Sequence, residues 1–509
     1  MVSATNGQGT VHLERDVRGH IVRELFHEDW VTTLRGVSGS LAEVTSSRGL
    51  SLRVSRGAMD DVRAVGAWER DSRGGMAPQW HVGIERDMAG NERRRLMPGG
   101  VEAERIVDDA DQVTLQAVSA RTEPIARIEY DWRSERLVGK RDQLSGIETA
   151  FVHDARGRLA EARRSDGRTE VRAPGPTGTL FKSADRSDRT YGKGGVLLEA
   201  EGTTYAYDAN GNVIEKRLPD GSSWKYRWNG PGFLVGVTKP DASEIAFEYD
   251  ALGRRIKKTA GEAITHWLWN GDAPLHEWTG PAQPERESHN LTTWVFEPDT
   301  LIPIAKLTRG GSRYSIVSDY LGTPQEMFDA AGQLAWKAQL DVYGVAEVER
   351  GTGADCPWRW PGQYEDAETG LYYNRFRYYD PARGDYISQD PIRLEGLAPG
   401  ATFYSYTVDP LRWIDPLGLA PDIHHIATPK NPTSQARGGP WTPEFAKLFK
   451  QAGMDMEDAA NKVPVPGHRG PHPEDYHVNI FDRLKKAMKG KRGPAAEKAL
   501  RAELAAIGK

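Results

Sequence analysis

The stretch YDANGNVIEKRLPDGSSWKYRWNGPGFLVGVTKPDASEIAFEYDALGR, Tyr207 to Arg254, holds one pattern three times. YDANGN starts at Tyr207, WNGPGF at Trp228 and YDALGR at Tyr249, so the copies lie 21 residues apart. Each has an aromatic residue, then Asp or Asn, then Gly three positions further on. Asp and Asn accept turn hydrogen bonds and Gly supplies positive φ, so each copy can close a hairpin between short strands such as SSWKYRW and EIAFEY. Looser copies stand upstream: RDVRGH at Arg15, RDSRGG at Arg70, RDMAGN at Arg86, YDWRSE at Tyr130 and HDARGR at His153. Repeats at such a period stack into one continuous structure. Residues from roughly 10 to 350 are therefore expected to form one long, strongly twisted antiparallel sheet, with a β-sandwich or propeller as the alternative. No capping segment precedes the copy at Arg15, which suggests a piece of a longer polypeptide.

A chain of 509 residues exceeds one ordinary core. Its net charge of -5 is too mild for a protein that coats nucleic acid or an anionic membrane along its whole length. The charge is unevenly spread. From Ala420 onward fifteen Lys/Arg face ten Asp/Glu, which leaves fifty-two against sixty-two upstream, so a tail of +5 follows a body of -10. Cys356 is the single cysteine, which excludes an intrachain disulfide and a Cys-based zinc site and fits synthesis in a reducing cytoplasm. Any metal must use His, carboxylate or water. No stretch has the apolar run of a signal peptide or a membrane span, so export would need a dedicated machine.

Further along come WPGQYEDAETGLYYNRFRYYDPARGDYISQDPIRL, Trp360 to Leu394, and FYSYTVDPLRWIDPLGLA, which ends in Pro410, four residues, then Asp415-Pro416-Leu417-Gly418-Leu419. With the YD copies, these motifs resemble the RHS (rearrangement hotspot) family over about four-fifths of the chain. The resemblance implies a hollow, spiralled β-shell around a variable C-terminal toxin, delivered by contact-dependent or type VI secretion. It also implies self-cleavage after the Leu of DPxGL, here between Leu419 and Ala420, by carboxylates in an aspartic-protease-like arrangement. By position the pair is Asp390 and Asp415. Two close carboxylates cannot both ionise, so one can serve as acid while the other activates water. The other reading of the pair is that each caps an Asp-Pro turn. Arg393 stands where the family's first mark has Gly, and could pair with a carboxylate or alter the turn as a modulator of cleavage.

Past Leu419 the pattern turns helical. In WTPEFAKLFKQAG, Thr442 is the expected N-cap, Pro443 the first helical residue and Gly453 the stop, with Phe445, Leu448 and Phe449 on one face. DRLKKAMKGKRGPAAEKALRAELAAIG, from Asp482, reads as one or two basic helices. Between the helical stretches, and ahead of them at DIHHIATPKN, lie five of the chain's thirteen histidines: His424, His425, His468, His472 and His477, with Asn461 in NKVPVP. His468 and His472 are four apart and, with His424, can offer three nitrogens to one divalent ion and leave positions open for phosphate and water. His425 is then free as a base, needing little tuning from a pKa near 6.5. A histidine-rich structural zinc site is the alternative, although it would fill all four positions.

The tail resembles the AHH branch of the HNH/endonuclease VII (His-Me finger) nucleases, with Ile423 where the motif's Ala is expected. The resemblance makes His424 a metal ligand and His425 the general base. Asn461 would orient that base or its loop, and His468 and His472 would complete the site around one divalent ion (Mg, Zn, Ni or Mn). For His477 three roles stay open: a ligand in place of His472, a phosphate donor, or packing. Lys485, Lys486, Lys489, Lys491 and Arg492 form a run that can neutralise phosphates without reading bases, or else a solvated helix face. The HNH resemblance favours DNA as the partner.

Together these readings give a mainly β chain. Residues 1–350 form a spiralled antiparallel β-repeat shell, and 351–419 a core-associated autoprotease segment. Residues 420–509 form a small α+β, treble-clef-like ββα-metal nuclease domain. The function expected is an interbacterial toxin effector that releases a metal-dependent DNase by autoproteolysis. Its partners would be an acidic immunity protein and the spike and adaptor chaperone of a type VI system. The alternative is a structural, adhesive or insecticidal-complex cocoon protein whose tail binds metal without catalysis.

Overall fold

The structure is a computed structural model that describes residues 1–507 other than 37–38, 59, 71–74, 89, 135, 281–290, 393–400, 420–422, 426, 429–438, 457–460 and 465–473. At 423–425, 462–464, 474–476 and 505–506 only the backbone is described. Strand formation follows the repeats. Asp208 Oδ1 accepts the amides of Asn210 and Asn212, each at 2.9 Å, and Gly211 takes φ 82° to close the turn. Asp250 does the same with Leu252 and Arg254, again at 2.9 Å, with Gly253 at φ 73°. A β-bulge accompanies each copy, where Tyr207, Trp228 and Tyr249 face Val213, Leu234 and Arg255 after a register shift.

The aromatic position has its own cause. Trp228 Nε1 donates to Val213 O at 2.7 Å and Tyr249 Oη to Leu234 O at 2.6 Å, so each copy fastens the strand laid down just after the previous turn. Only an aromatic with a polar tip can fill the core and reach that carbonyl. The copy at Tyr130 departs from this scheme. Tyr130 and Asp131 lie within the strand Glu123–Arg133, and the hairpin turns after them. The copy at Arg70 runs into residues outside those described.

The meander is not one sheet. Sixteen strands from Val2–Asn6 to Thr169–Val171 form the first, sixteen from Arg189–Tyr191 to Ala346–Arg350 the second, and each strand pairs with its neighbour in sequence. Between them lies only the short ladder of Ala173–Pro174 with Leu180–Phe181. Pro174 and Pro176 have no N–H to donate, so the first ladder stops there. The faces of the two sheets then pack on one another: Val65, Trp80, Val82 and Val118 of the first share a core with Leu275, Val295, Leu307 and Phe328 of the second. A second core joins Tyr226, Phe247, Trp267 and Trp336 to the aromatic residues of a four-stranded sheet. Its strands are Tyr364–Asp366, Leu371–Asn374, Arg377–Asp380 and Asp385–Tyr386.

Two compact units emerge, Met1–Pro391 with Pro399–Gly418, and Leu419–Lys509 with Ile392–Ala398. In the second, strand Ile423–His425 pairs antiparallel with Lys462–Pro464. Helices α1 (Trp441–Ala452), α2 (Glu474–Met488) and α3 (Pro494–Ile507) complete it. Phe445, Leu448 and Phe449 of α1, Ile480, Leu484 and Met488 of α2, and Ala496, Leu500 and Leu504 of α3 repeat at helical spacing and form one core. Gly453 ends α1 at φ 71° as expected, but the N-cap is Pro440. Thr442 lies inside the first turn, its hydroxyl donating to Thr428 O at 3.0 Å, and Pro443 is tolerated there because first-turn amides have no helical acceptor. No helix among the described residues is long and apolar enough to cross a membrane.

Candidate functional site

Two sites take shape, one in each unit. In the first, strand Arg377–Asp380 is buried along its whole length, and Arg377 enters with 2 % exposure. A buried guanidinium needs carboxylate partners. It finds two: Nη2 lies 2.9 Å from Asp390 Oδ2 and 3.1 Å from Asp415 Oδ2, both residues being 2 % exposed. The geometry thus gathers the two aspartates that sequence position singles out onto one nitrogen.

Asp415 Oδ2 also accepts the Tyr386 hydroxyl at 2.8 Å, and its amide donates to Tyr406 Oη at 3.2 Å. Asn374 Nδ2 donates to Asp415 O at 2.7 Å. The Arg377 guanidinium stacks 3.7 Å over the Tyr386 ring, and its Nε donates to Gly418 O, one residue before Leu419. Gly418 has φ 66°, and a Cβ there would stand 2.3 Å from Asn374 O, so the DPLGL turn demands Gly at this point. Sequence reasoning missed Arg377, Tyr386 and Asn374. The signal was present: an Arg flanked by four tyrosines and a Phe within LYYNRFRYY marks a buried cation. Arg393 and Ala420 lie outside the described residues.

In the second unit His424 pairs with Val463 and His425 with Lys462 across the two-stranded ladder. Asn461, directly before the second strand, is fully buried. Its Oδ1 accepts the Ala427 amide at 2.8 Å, and its Nδ2 donates to Ala427 O at 2.9 Å and Met456 O at 2.7 Å. The side-chain amide thereby continues the ladder by one rung and fixes the backbone two residues past His425. Every one of these bonds goes to backbone, so Asn461 ties the chain at Ala427 and Met456 to the start of the second strand.

His477 sits in α2 at 5 % exposure, its ring stacked on Trp441 at 5.6 Å. Lys485, Lys486, Lys489, Lys491 and Arg492 are all exposed, on the last turns of α2 and the loop to α3. His468 and His472 lie outside the described residues, and of His424 and His425 only the backbone is described. Among the described residues no group of three or more His, Cys, Asp or Glu side chains is placed to hold a metal ion.

Against known families, residues 94–406 match the teneurin YD-shell. Residues 418–509 match AHH, a nuclease family of the HNH/ENDO VII superfamily with conserved AHH. Among curated proteins, double-stranded DNA deaminase toxin A of Burkholderia cenocepacia is 32% identical over 66% of this chain and 25% of its own length. The probable deoxyribonuclease RhsA of Dickeya dadantii is 31% identical over 58% of this chain and 21% of its own. Toxin protein Tse5 of Pseudomonas aeruginosa is 29% identical over 64% of this chain and 28% of its own. The chain therefore spans about a quarter of the length of these relatives. The crystal structure of TcdB2-TccC3-Cdc42 superposes with a TM-score of 0.57 at 16% identity, over 82% of this chain and 24% of that one, which shows the common fold. With its bulged twenty-one-residue hairpins, its paired sheets and a family match over residues 94–406, the chain belongs to the teneurin YD-shell family and carries at its end a segment of the AHH nuclease family.

Proposed function

We propose that this chain is part of a polymorphic toxin whose YD-shell restrains, and severs itself from, a DNA-cutting tail. The boundaries we assign are 1–350 for the repeat shell, 351–419 for the self-cleaving segment and 420–509 for the nuclease. The observation that carries the nuclease reading is the His424–His425 strand held against Lys462–Val463, with Asn461 clamped on Ala427, inside a segment that matches AHH nucleases. His425 takes the proton of the attacking water, and Asn461 holds its strand in place. Three neutral imidazoles, those of His424, His468 and His472, suit a borderline-soft divalent ion. Such an ion, when bound, would stabilise negative charge on the scissile phosphate. The exposed run Lys485, Lys486, Lys489, Lys491 and Arg492 neutralises the DNA backbone without reading its sequence.

Self-cleavage would fall between Leu419 and Ala420. One of Asp390 and Asp415 takes the proton of the attacking water while the other, protonated, donates to the scissile carbonyl oxygen, and Arg377 holds both carboxyls in place and fastens the Gly418 carbonyl beside the scissile residue. Relatives named as toxins support a toxic role, and delivery into target cells would fall to a secretion machine of type VI class. An acidic immunity protein would cover the basic tail in the producing cell.

Nicking of supercoiled plasmid by the purified chain with added divalent ion tests the nuclease reading. Wild type should nick, and His425→Ala should lose at least a hundredfold in rate with its metal content unchanged. A variant that nicks as fast as wild type would remove His425 from the mechanism.

A further inference from the structure

Tyr364 pairs with Tyr373 at the end of the four-stranded sheet, so Gln363, one residue earlier, stands opposite Asn374, one residue later. Both are fully buried. Opposed positions on an antiparallel ladder share a face, with their Cβ atoms about 5 Å apart. The backbone of Gln363 is fixed by its own turn, its amide donating to Trp360 O at 2.8 Å and its carbonyl accepting the Arg359 amide at 3.0 Å. The side chain has no such ties. Among the described residues neither its Oε1 nor its Nε2 has a hydrogen-bond partner, and Asn374 Oδ1 has none either. The two amides border the aspartates: Asn374 Nδ2 donates to Asp415 O and to the Tyr386 hydroxyl, each at 2.7 Å, and Tyr386 in turn donates to Asp415 Oδ2. Gly362, next to Gln363, is pressed on the DPLGL turn, where a Cβ would stand 1.9 Å from Pro416 O. Gln363 and Asn374 thus meet that turn from its two ends, at Pro416 and at Gly418.

Buried amides are nearly always satisfied, and an exception needs a cause. Packing supplies none, since an apolar side chain of the same length would fill the space without stranding polar atoms. A group left unpaired at rest and paired during a reaction favours the transition state over the ground state. Resting on the self-cleavage reading above, we propose that Gln363 binds the attacking water. Nε2 donates to Asn374 Oδ1, which sets the amide's orientation and leaves Oε1 to accept one proton of the water. The other proton then faces the ionised member of the Asp390–Asp415 pair. As the water oxygen bonds to the Leu419 carbonyl carbon, that proton passes to the carboxylate, while the first stays on the new hydroxyl against Gln363. When the bond to the Ala420 nitrogen breaks, the leaving amine takes up a proton from the pair, so atoms and charge balance.

Timed cell-free synthesis of the full chain, with the cut and uncut forms separated on denaturing gels, tests this for wild type, Gln363→Met, Gln363→Glu and Asp415→Ala. Gln363→Met keeps the length of the side chain and loses its polar atoms, so it should cleave at least thirtyfold more slowly. Its fold should not suffer: in the uncut Asp415→Ala background, adding Gln363→Met should leave the melting temperature equal or higher. Gln363→Glu should cleave slowly at neutral pH and gain on the wild type as pH falls, because a protonated carboxyl restores one donor and one acceptor. Wild-type cleavage by Gln363→Met, with Asp415→Ala uncut, would overturn the role of Gln363 and leave the aspartate pair standing. Slow cleavage with a lowered melting temperature and no recovery of Gln363→Glu in acid would overturn it as well, since the side chain would then only pack. An uncut wild type would sink self-cleavage itself, and this inference with it.

Discussion

Replacing Asn461 by Ala removes a side chain that makes three hydrogen bonds of 2.7 to 2.9 Å to backbone, all in a fully buried setting. Each such bond is worth about 1 kcal/mol net, and the Ala427 amide and two carbonyls would lose buried partners, so the segment after His425 should loosen by about 3 kcal/mol. That converts to roughly 150-fold faster exchange of the Ala427 amide with deuterium. Displacing the histidine strand by about 1 Å should cost on the order of a hundredfold in nicking rate. Asn461→Asp keeps the shape but turns an oxygen toward the carbonyls of Ala427 and Met456, so it should be no milder than Ala. Hydrogen exchange followed by mass spectrometry on the tail, with plasmid nicking in parallel, reads both effects. Unchanged exchange at Ala427 together with lost nicking would refute the positioning role, because Asn461 would then act on the chemistry itself.

Other outcomes follow from the same geometry. His276 is buried between Ser46 Oγ and Thr293 Oγ1, each at 2.8 Å, and burial with Arg309 and Arg48 nearby pushes it down to about 3. The unfolded histidine binds a proton near pH 6.5 that the folded one refuses until about pH 3. Its stabilisation is thus complete above pH 6.5 and falls by up to about 5 kcal/mol as pH drops toward 3. Urea titrations across that window should show the slope in wild type and a flatter one in His276→Gln, and equal slopes would contradict the reading. The basic run should give DNA binding a steep salt dependence, and Lys486→Ala or Lys489→Ala should each reduce the log–log slope by about 1 without changing sequence preference. Arg377→Met should abolish self-cleavage and destabilise the first unit by about 3 kcal/mol, since it leaves Asp390 and Asp415 buried without their shared cation.

Much of the shell was legible because its rules are local. The Asp that caps the turn, the Gly at positive φ and the aromatic that reaches back to Val213 or Leu234 all lie within one repeat, so a spacing of 21 exposes them. Such rules say which strand pairs next and not where the meander stops. The break into two sheets depends on Pro174 and Pro176, two residues outside the repeat, whose missing amides end the ladder. The aspartate pair was legible from its Asp-Pro marks, whereas Arg377 acts across 13 and 38 residues of sequence and shows itself only when the strands pack. In the tail, the face of α1 that carries Phe445, Leu448 and Phe449 was read correctly from apolar spacing. Thr442 was misread as a cap because its hydroxyl is claimed by Thr428, a tertiary contact that no window around the helix contains.

The claim that one chain holds both a nuclease and the protease that frees it is tested most directly by intact mass under denaturing conditions, for wild type and Asp415→Ala. The account predicts two wild-type species, a body ending at Leu419 and a tail of residues 420–509, and a single uncut species in the variant. A single uncut mass for the wild type, or the same two fragments from the variant, would contradict it.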